Sequence, residues 1–259
     1  MSGSLSSDVA ILNLPDGATI AYHRLPGASP GVIFCGGFSS DMTGTKATAL
    51  DKWCRRHGLA FLRFDYQGHG ASSGRFEDGT IGSWTADALA VLDRLTEGQQ
   101  IIVGSSMGGW IMLGLALARP ERIAALLGVA CAADFTEFML WQRLDEATRE
   151  RLQREGVIYV PSCYEGEDPY PITLHLLEEA RQHLLLSRNT LPITCPVRLL
   201  HGMCDPDVPW QTSIQVAERL ESNDVRVLLL KDGEHRLSRD SDLTLLTDLL
   251  AELTERVKI

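Results

Sequence analysis

The chain has 259 residues, 44% of them hydrophobic, which suits one large domain with a sizeable core. Its formal net charge of −10, with no extended basic run, gives no electrostatic footprint for nucleic acid or an anionic membrane surface. The longest apolar stretch, Ile123 to Ala133, is too short to span a bilayer, and the N-terminus shows neither a basic nor an apolar signal region, so the expectation is a cytoplasmic protein without membrane insertion.

In chain order, Val9 to Leu14 and Thr19 to Leu25 read as strands joined by the turn Pro15-Asp16-Gly17, forming an antiparallel edge. Gly31 to Cys35 predicts a buried strand ending in Gly36-Gly37-Phe38, where glycines let the backbone approach a ligand. Ala49, Leu50, Trp53 and Cys54 recur at helical spacing, His57-Gly58 closes that helix, and a parallel strand follows over Leu59 to Phe64. A glycine-spaced loop, Asp65 to Ser72, precedes an amphipathic helix over Ile81 to Leu95. Gln100 to Val103 is a further strand, and the helix Gly108 to Arg119, apolar on almost every side, is stopped by Pro120. The next strand is Ile123 to Ala132. Strands and helices alternating at this spacing predict an α/β fold with a mostly parallel central sheet, helices on both faces and right-handed crossovers.

Between 134 and 191 the alternation breaks. A charged helix over Phe135 to Glu155, with Glu150 and Arg154 spaced to pair, a Pro- and Tyr-bearing stretch over Val157 to Pro171 and a helix over Leu174 to Leu186 are expected there. Phe135, Phe138, Met139, Trp141, Tyr159 and Tyr164 are too many large apolar groups to leave in water, so the segment reads as a small cap insertion over the sheet, some of whose side chains line a substrate pocket. The core is then 1–133 and 192–259 of a single domain. It resumes with a strand over Val197 to Leu200, a helix to about Leu220, a strand Val225 to Leu230 and a last helix marked by Leu243, Leu246, Leu250, Leu253 and Val257. Cys35, Cys54, Cys131, Cys163, Cys195 and Cys204 lack paired metal-type spacing and are expected as free thiols, without disulfides or structural zinc.

The chemistry centres on Gly104-Ser105-Ser106-Met107-Gly108, between a strand and a helix. A serine in such a sharp turn holds its hydroxyl clear of the sheet, with flanking glycines because strand and helix come too close for side chains. Ser106 is therefore the candidate nucleophile, and it needs a base and an acid at the same end of the sheet. His235, past the last strand, is the candidate base. Asp205, past the strand ending at Leu200, is the first choice for the acid, with Asp207 and Asp134 as alternatives. The backbone N–H groups of Phe38 and Met107 are the candidate oxyanion donors. His201 reads as a buried, hydrogen-bonded residue and His69 as a loop residue of the glycine pattern, and no cofactor or metal site is expected.

These motifs, with the loop Asp65-Tyr66-Gln67-Gly68-His69-Gly70, resemble the α/β-hydrolase fold family. Gly104 to Trp110, Phe64-Asp65-Tyr66 and His201-Gly202-Met203 with Val208-Pro209-Trp210 are similar, more narrowly, to the mitochondrial thioesterases that remove palmitoyl groups from proteins and cleave acyl glucuronides. The resemblance runs from about Asp16 to Leu250 and implies Ser106, Asp205 and His235 as nucleophile, acid and base. It implies a serine hydrolase acting on a small-molecule or acylated-protein (thio)ester. A short-chain carboxylesterase, or a non-catalytic ligand receptor on the same fold, is the alternative. A dehalogenase or epoxide hydrolase on this scaffold would need an aspartate where Ser106 stands.

Overall fold

The computed structural model describes residues 9–161 and 169–257. Eight strands form one sheet in the order β1-β2-β4-β3-β5-β6-β9-β10: β1 (Ala10–Asn13), β2 (Thr19–Leu25), β3 (Ala28–Cys35), β4 (Leu59–Phe64), β5 (Gln100–Ser105), β6 (Ile123–Val129), β9 (Val197–Gly202) and β10 (Val225–Leu230). Strand β2 runs antiparallel to β1 and to β4, and every other pairing in the sheet is parallel. The antiparallel edge turns at Gly17, whose φ of 90° suits glycine.

The inner parallel strands are buried on both faces, and their alternate side chains feed two separate cores. Val32 and Phe34 of β3, with Ile101 and Val103 of β5, meet Leu50, Trp53 and Cys54 of α1 (Thr45–His57) and Leu246, Leu250 and Leu253 of α7 (Asp240–Arg256). Ile33, Cys35 and Ile102 face the other way. They meet Trp84, Val91 and Leu92 of α2 (Ile81–Leu95), Ile111, Met112 and Leu115 of α3 (Met107–Ala118) and Val216 of α6 (Gln211–Arg219). The continuous apolar strand sequences therefore follow from burial on both sides. Local signals set the helix ends: Gly58, at φ 66°, closes α1, and Thr80 and Ser83 form a reciprocal cap on α2.

The chain leaves the sheet after Val129 through Ala130 and Asp134, both at positive φ, and the segment before β9 departs from the sequence expectation. No single helix spans 135–155. A π-turn (Thr136–Leu140) and a 3-10 turn (Trp141–Arg143) come first, and then Asp145 accepts the Thr148 N–H at 2.7 Å and starts α4 (Glu146–Glu155) afresh. An aspartate that caps its own downstream helix competes with continuing the upstream one. Arg154 pairs with its neighbour Glu155 at 2.8 Å rather than with Glu150. The Pro- and Tyr-bearing stretch contributes an antiparallel pair, β7 (Val157–Val160) with β8 (Tyr170–Thr173), and α5 (Leu174–Ala180) ends early in a 3-10 turn, Arg181–His183.

Leu152, Ile158, Ile172 and Leu177 give this segment a small core of its own. Its aromatic residues divide. Phe135 is buried, Trp141 has the guanidinium groups of Arg149 and Arg181 over its ring, and Phe138 and Tyr159 stay exposed, at 40% and 62%. Tyr164 and Cys163 lie outside the described residues; Cys35, Cys54, Cys131, Cys195 and Cys204 are free thiols.

Candidate active site

Strand β5 passes into α3 through Ser106 alone, at φ 55° and ψ −120°, a backbone conformation that a residue with a side chain adopts only when its surroundings impose it. Three backbone bonds do so here. Ser106 N–H donates to Val129 O at 2.9 Å, and Ser106 O accepts from Gly109 N at 2.9 Å and Ala132 N at 3.0 Å. Helix α3 also passes very close to β3. A Cβ at Gly108 would stand 2.1 Å from Cys35 O and 2.5 Å from Gly36 O, backbone atoms that cannot swing away. Gly108→Ala is therefore expected to cost about 3 kcal/mol of stability, measured by urea unfolding. A loss below about 1 kcal/mol would show that the strand and helix can part.

The three residues singled out at the ends of β5, β9 and β10 meet. His235 Nε2 lies 2.9 Å from Ser106 Oγ, and His235 Nδ1 lies 2.7 Å from Asp205 Oδ2. The carboxylate is a pure acceptor, so Nδ1 carries the proton and Nε2 presents its lone pair to the serine hydroxyl. The loops after β9 and β10 are tied together by the Cys204 N–H to Gly233 O bond at 2.9 Å, and Gly202 meets Gly233 so closely that a Cβ there would lie 2.3 Å from Gly233 O.

Asp205 has a fully buried side chain. Its Oδ1 accepts from the N–H groups of Asp207 and Val208 at 2.9 and 2.8 Å, and its Oδ2 from His235 and, at 3.2 Å, from His201. Burial alone would push this carboxyl up, but the hydrogen bonds from His201 and His235, with the charge of His235 and the Val208 N–H, outweigh it and hold the group well below the usual carboxylate range.

The other two aspartates stand differently. Asp207 contributes its backbone N–H to Asp205. Asp134 is fully buried and accepts from Leu185 N at 2.9 Å and Leu186 N at 2.7 Å, which pins the end of the inserted segment to the sheet. Asp205, Asp207 and His235 bring ligand atoms within 4.8 Å of one another. A cation there would have to displace the bonds already made to both Asp205 oxygens and to His235 Nδ1, so these donors fit a proton relay better than a metal.

Met107 is the first residue of α3, where an N–H has no intrahelical acceptor and the helix dipole is positive. Gly37, just before Phe38, is packed against the nucleophile turn: a Cβ on it would lie 3.4 Å from Ser106 Cβ. Met107 thus adjoins Ser106 in the chain, and the residue before Phe38 packs against it. The loop that carries Phe38 is clamped from below by charges the sequence reading passed over: Met42 N donates to Asp65 Oδ1 at 2.7 Å, and Arg63 Nη1 donates to Met42 O at 2.6 Å. The Phe38 ring meets Phe76 and Trp84, from the turn before α2 and from α2 itself, and Phe135 and Tyr170 from the inserted segment, with centroids 4.8 to 6.0 Å apart. His69 is buried among Tyr66, Phe76 and Trp84, and burial pushes its imidazole down to about 4, so it is a neutral packing residue at physiological pH.

A strained serine between a central parallel strand and the following helix, with its partners after later strands, is the architecture of the α/β hydrolases. The chain belongs to that family: the model of the alpha/beta hydrolase family matches residues 32–245. It is 44% identical over 251 residues to the human mitochondrial palmitoyl-protein thioesterase ABHD10, covering 97% of this chain and 81% of that protein. The cattle counterpart is likewise 44% identical, over 253 residues. Among solved structures, alpha/beta hydrolase domain-containing protein 10 from mouse superposes with a TM-score of 0.89 at 43% identity, over 96% of this chain and 99% of that one. A putative hydrolase from Agrobacterium vitis S4 does so with a TM-score of 0.90 at 37% identity, over 95% and 98%.

Proposed function

We propose that the protein is a serine hydrolase that cleaves carboxylic thioesters and esters through an acyl-enzyme, with palmitoyl-protein thioesters or acyl glucuronides as its substrate class. The observation that carries this reading is the chain of hydrogen bonds that starts at Ser106 Oγ on a strained turn and runs through His235 to Asp205. Ser106 Oγ attacks the acyl carbonyl while its proton passes to His235 Nε2, and the imidazolium then protonates the departing thiol or alcohol. Water attacks the acyl-enzyme with its proton taken by the same nitrogen, which returns Ser106 and releases the carboxylic acid. The N–H groups of Met107 and Phe38 receive the oxyanion of each tetrahedral intermediate. Asp205 holds the imidazole in its tautomer and stabilises its charged form without taking the proton. The segment 134–191 serves as the cap, and Phe38, Phe135 and Tyr170 give the acyl group an aromatic wall beside the reacting carbonyl.

Thioesters come first in the substrate class because of the 44% identity to palmitoyl-protein thioesterases across 97% of this chain. The test is a set of kcat/KM values for matched S-acyl and O-acyl substrates of short, medium and long chain, with an acyl glucuronide alongside. Values that rise with chain length on the thioesters are the expected result. Activity confined to short oxygen esters would replace this substrate class with that of a general carboxylesterase. Failure of a fluorophosphonate probe to label Ser106 would leave a ligand receptor on the same fold.

A further inference from the structure

Behind the acid lies a second histidine that the mechanism above does not use. His201, on β9, is fully buried and touches three groups from two elements. Its Nε2 is 3.2 Å from Asp205 Oδ2 and 3.1 Å from Val208 O, both in the loop after β9, and its Nδ1 is 2.7 Å from Ser213 Oγ on α6. A carboxylate and a carbonyl oxygen can only accept, so the proton of the neutral ring belongs on Nε2, and Nδ1 takes the hydroxyl proton of Ser213. Ser213 is itself fully buried, so no water competes for either ring nitrogen.

We propose that His201 is a positioning residue for the acid: its Nε2–H donates to the same Asp205 oxygen that receives His235 Nδ1–H, and so fixes the carboxylate and moderates its pull on the base. This rests on the assignment of Ser106, His235 and Asp205 made above. The carboxylate then has four donors, two backbone N–H groups on Oδ1 and two imidazoles on Oδ2, and no freedom to rotate. A second donor on Oδ2 also shares the negative charge that would otherwise act on His235 alone. An undiluted carboxylate stabilises imidazolium more strongly, so removing the second donor is expected to leave the base protonated up to a higher pH. The groups that face His235 are Ser106 from the elbow and Asp205 and Asp207 from the loop after β9; on its own loop the neighbouring Arg236 carbonyl is bonded by Lys46 of α1.

The experiment compares kcat/KM against pH for wild type, His201→Leu and His201→Gln. The leucine keeps bulk and removes the donor, whereas the glutamine amide can still donate to Asp205. In His201→Leu the acid limb of the profile moves to higher pH by roughly 0.5 to 1 unit, with kcat lowered more than KM is raised, and His201→Gln moves the limb back towards wild type. An acid limb unchanged in His201→Leu, with only a lower plateau and a lower Tm, would reduce His201 to packing and overturn the proposal. Should the leucine variant not fold, nitrogen chemical shifts of histidine-labelled wild type decide: His201 protonated at Nε2 between about pH 5 and 9 supports the proposal, and a bare Nε2 overturns it. That measurement is independent of turnover. If Ser106→Ala retained the activity, the assignment of the nucleophile would fail while the protonation of His201 stood or fell on its own.

Discussion

Ser106→Ala is expected to reduce turnover of an S-acyl substrate by about 10⁶-fold and to abolish fluorophosphonate labelling, with the fold unchanged. The size follows from what remains. The N–H groups of Met107 and Phe38 still polarise the carbonyl and still bind the substrate, so a residual rate of about 10³-fold over water is expected, but no covalent intermediate forms. The fold survives because the Ser106 side chain caps nothing; its Oγ bonds to His235, which is itself 14% exposed and can take water in its place. Alanine meets the same cost at φ 55° as serine does, and the three backbone bonds that hold the turn are untouched. Single-turnover kinetics with circular dichroism of the same sample checks both halves. Retained activity in a folded variant would move the nucleophile elsewhere and with it the whole proposed mechanism.

The parts of this molecule that were legible in the sequence are those where a local signal and the global packing agree. The strands β3, β5 and β6 carry the apolar runs Val32 to Cys35, Ile101 to Val103 and Ile123 to Leu127 because each is covered on both faces there, and the helices between them are closed by Gly58 and by Pro120. The turn at Ser106 was legible for the same reason, since its glycines stand where an added Cβ would lie within 2.3 Å of a backbone oxygen. The inserted segment was less so. Phe135 to Glu155 has helical periodicity throughout, and nothing in the periodicity shows that Asp145 would cap a new helix rather than ride on an old one. The aromatic residues there looked equally suited to burial, yet Tyr159 ends 62% exposed because it lies on the outer side of a two-stranded pair with no further layer. Partners far apart in sequence were the other blind spot. Arg63 and Asp65 sit two apart on one strand end, but that they grip opposite sides of Met42, and that Ser213 would reach His201, are facts of tertiary packing. A buried charge following a strand is the signal that could have raised the question.

Asp205→Asn is expected to lower kcat by about 10⁴-fold, whereas Asp207→Asn changes it by no more than about twofold. The asymmetry comes from the four donors around Asp205. An amide at this position has one acceptor and one donor end, and two backbone N–H groups, from Asp207 and Val208, point at the Oδ1 side at 2.9 and 2.8 Å. The amide oxygen must take that side, because placing NH₂ against two N–H donors leaves all three unpaired. The NH₂ then faces both imidazoles. His235 can answer only by accepting at Nδ1, which puts its proton on Nε2, against Ser106 Oγ, in the tautomer that cannot receive the hydroxyl proton. His201 keeps Val208 O as an acceptor and loses Asp205. The wild-type carboxyl is held below its usual range, so the stability it contributes is fully present above about pH 4 and is lost as the pH falls through its folded value. The asparagine variant has no such proton to take up. The difference in Tm between the two proteins should therefore be largest near neutrality and narrow as the pH falls below about 4, and a difference constant from pH 7 to pH 3 would mean that Asp205 is not the ionised partner of His235.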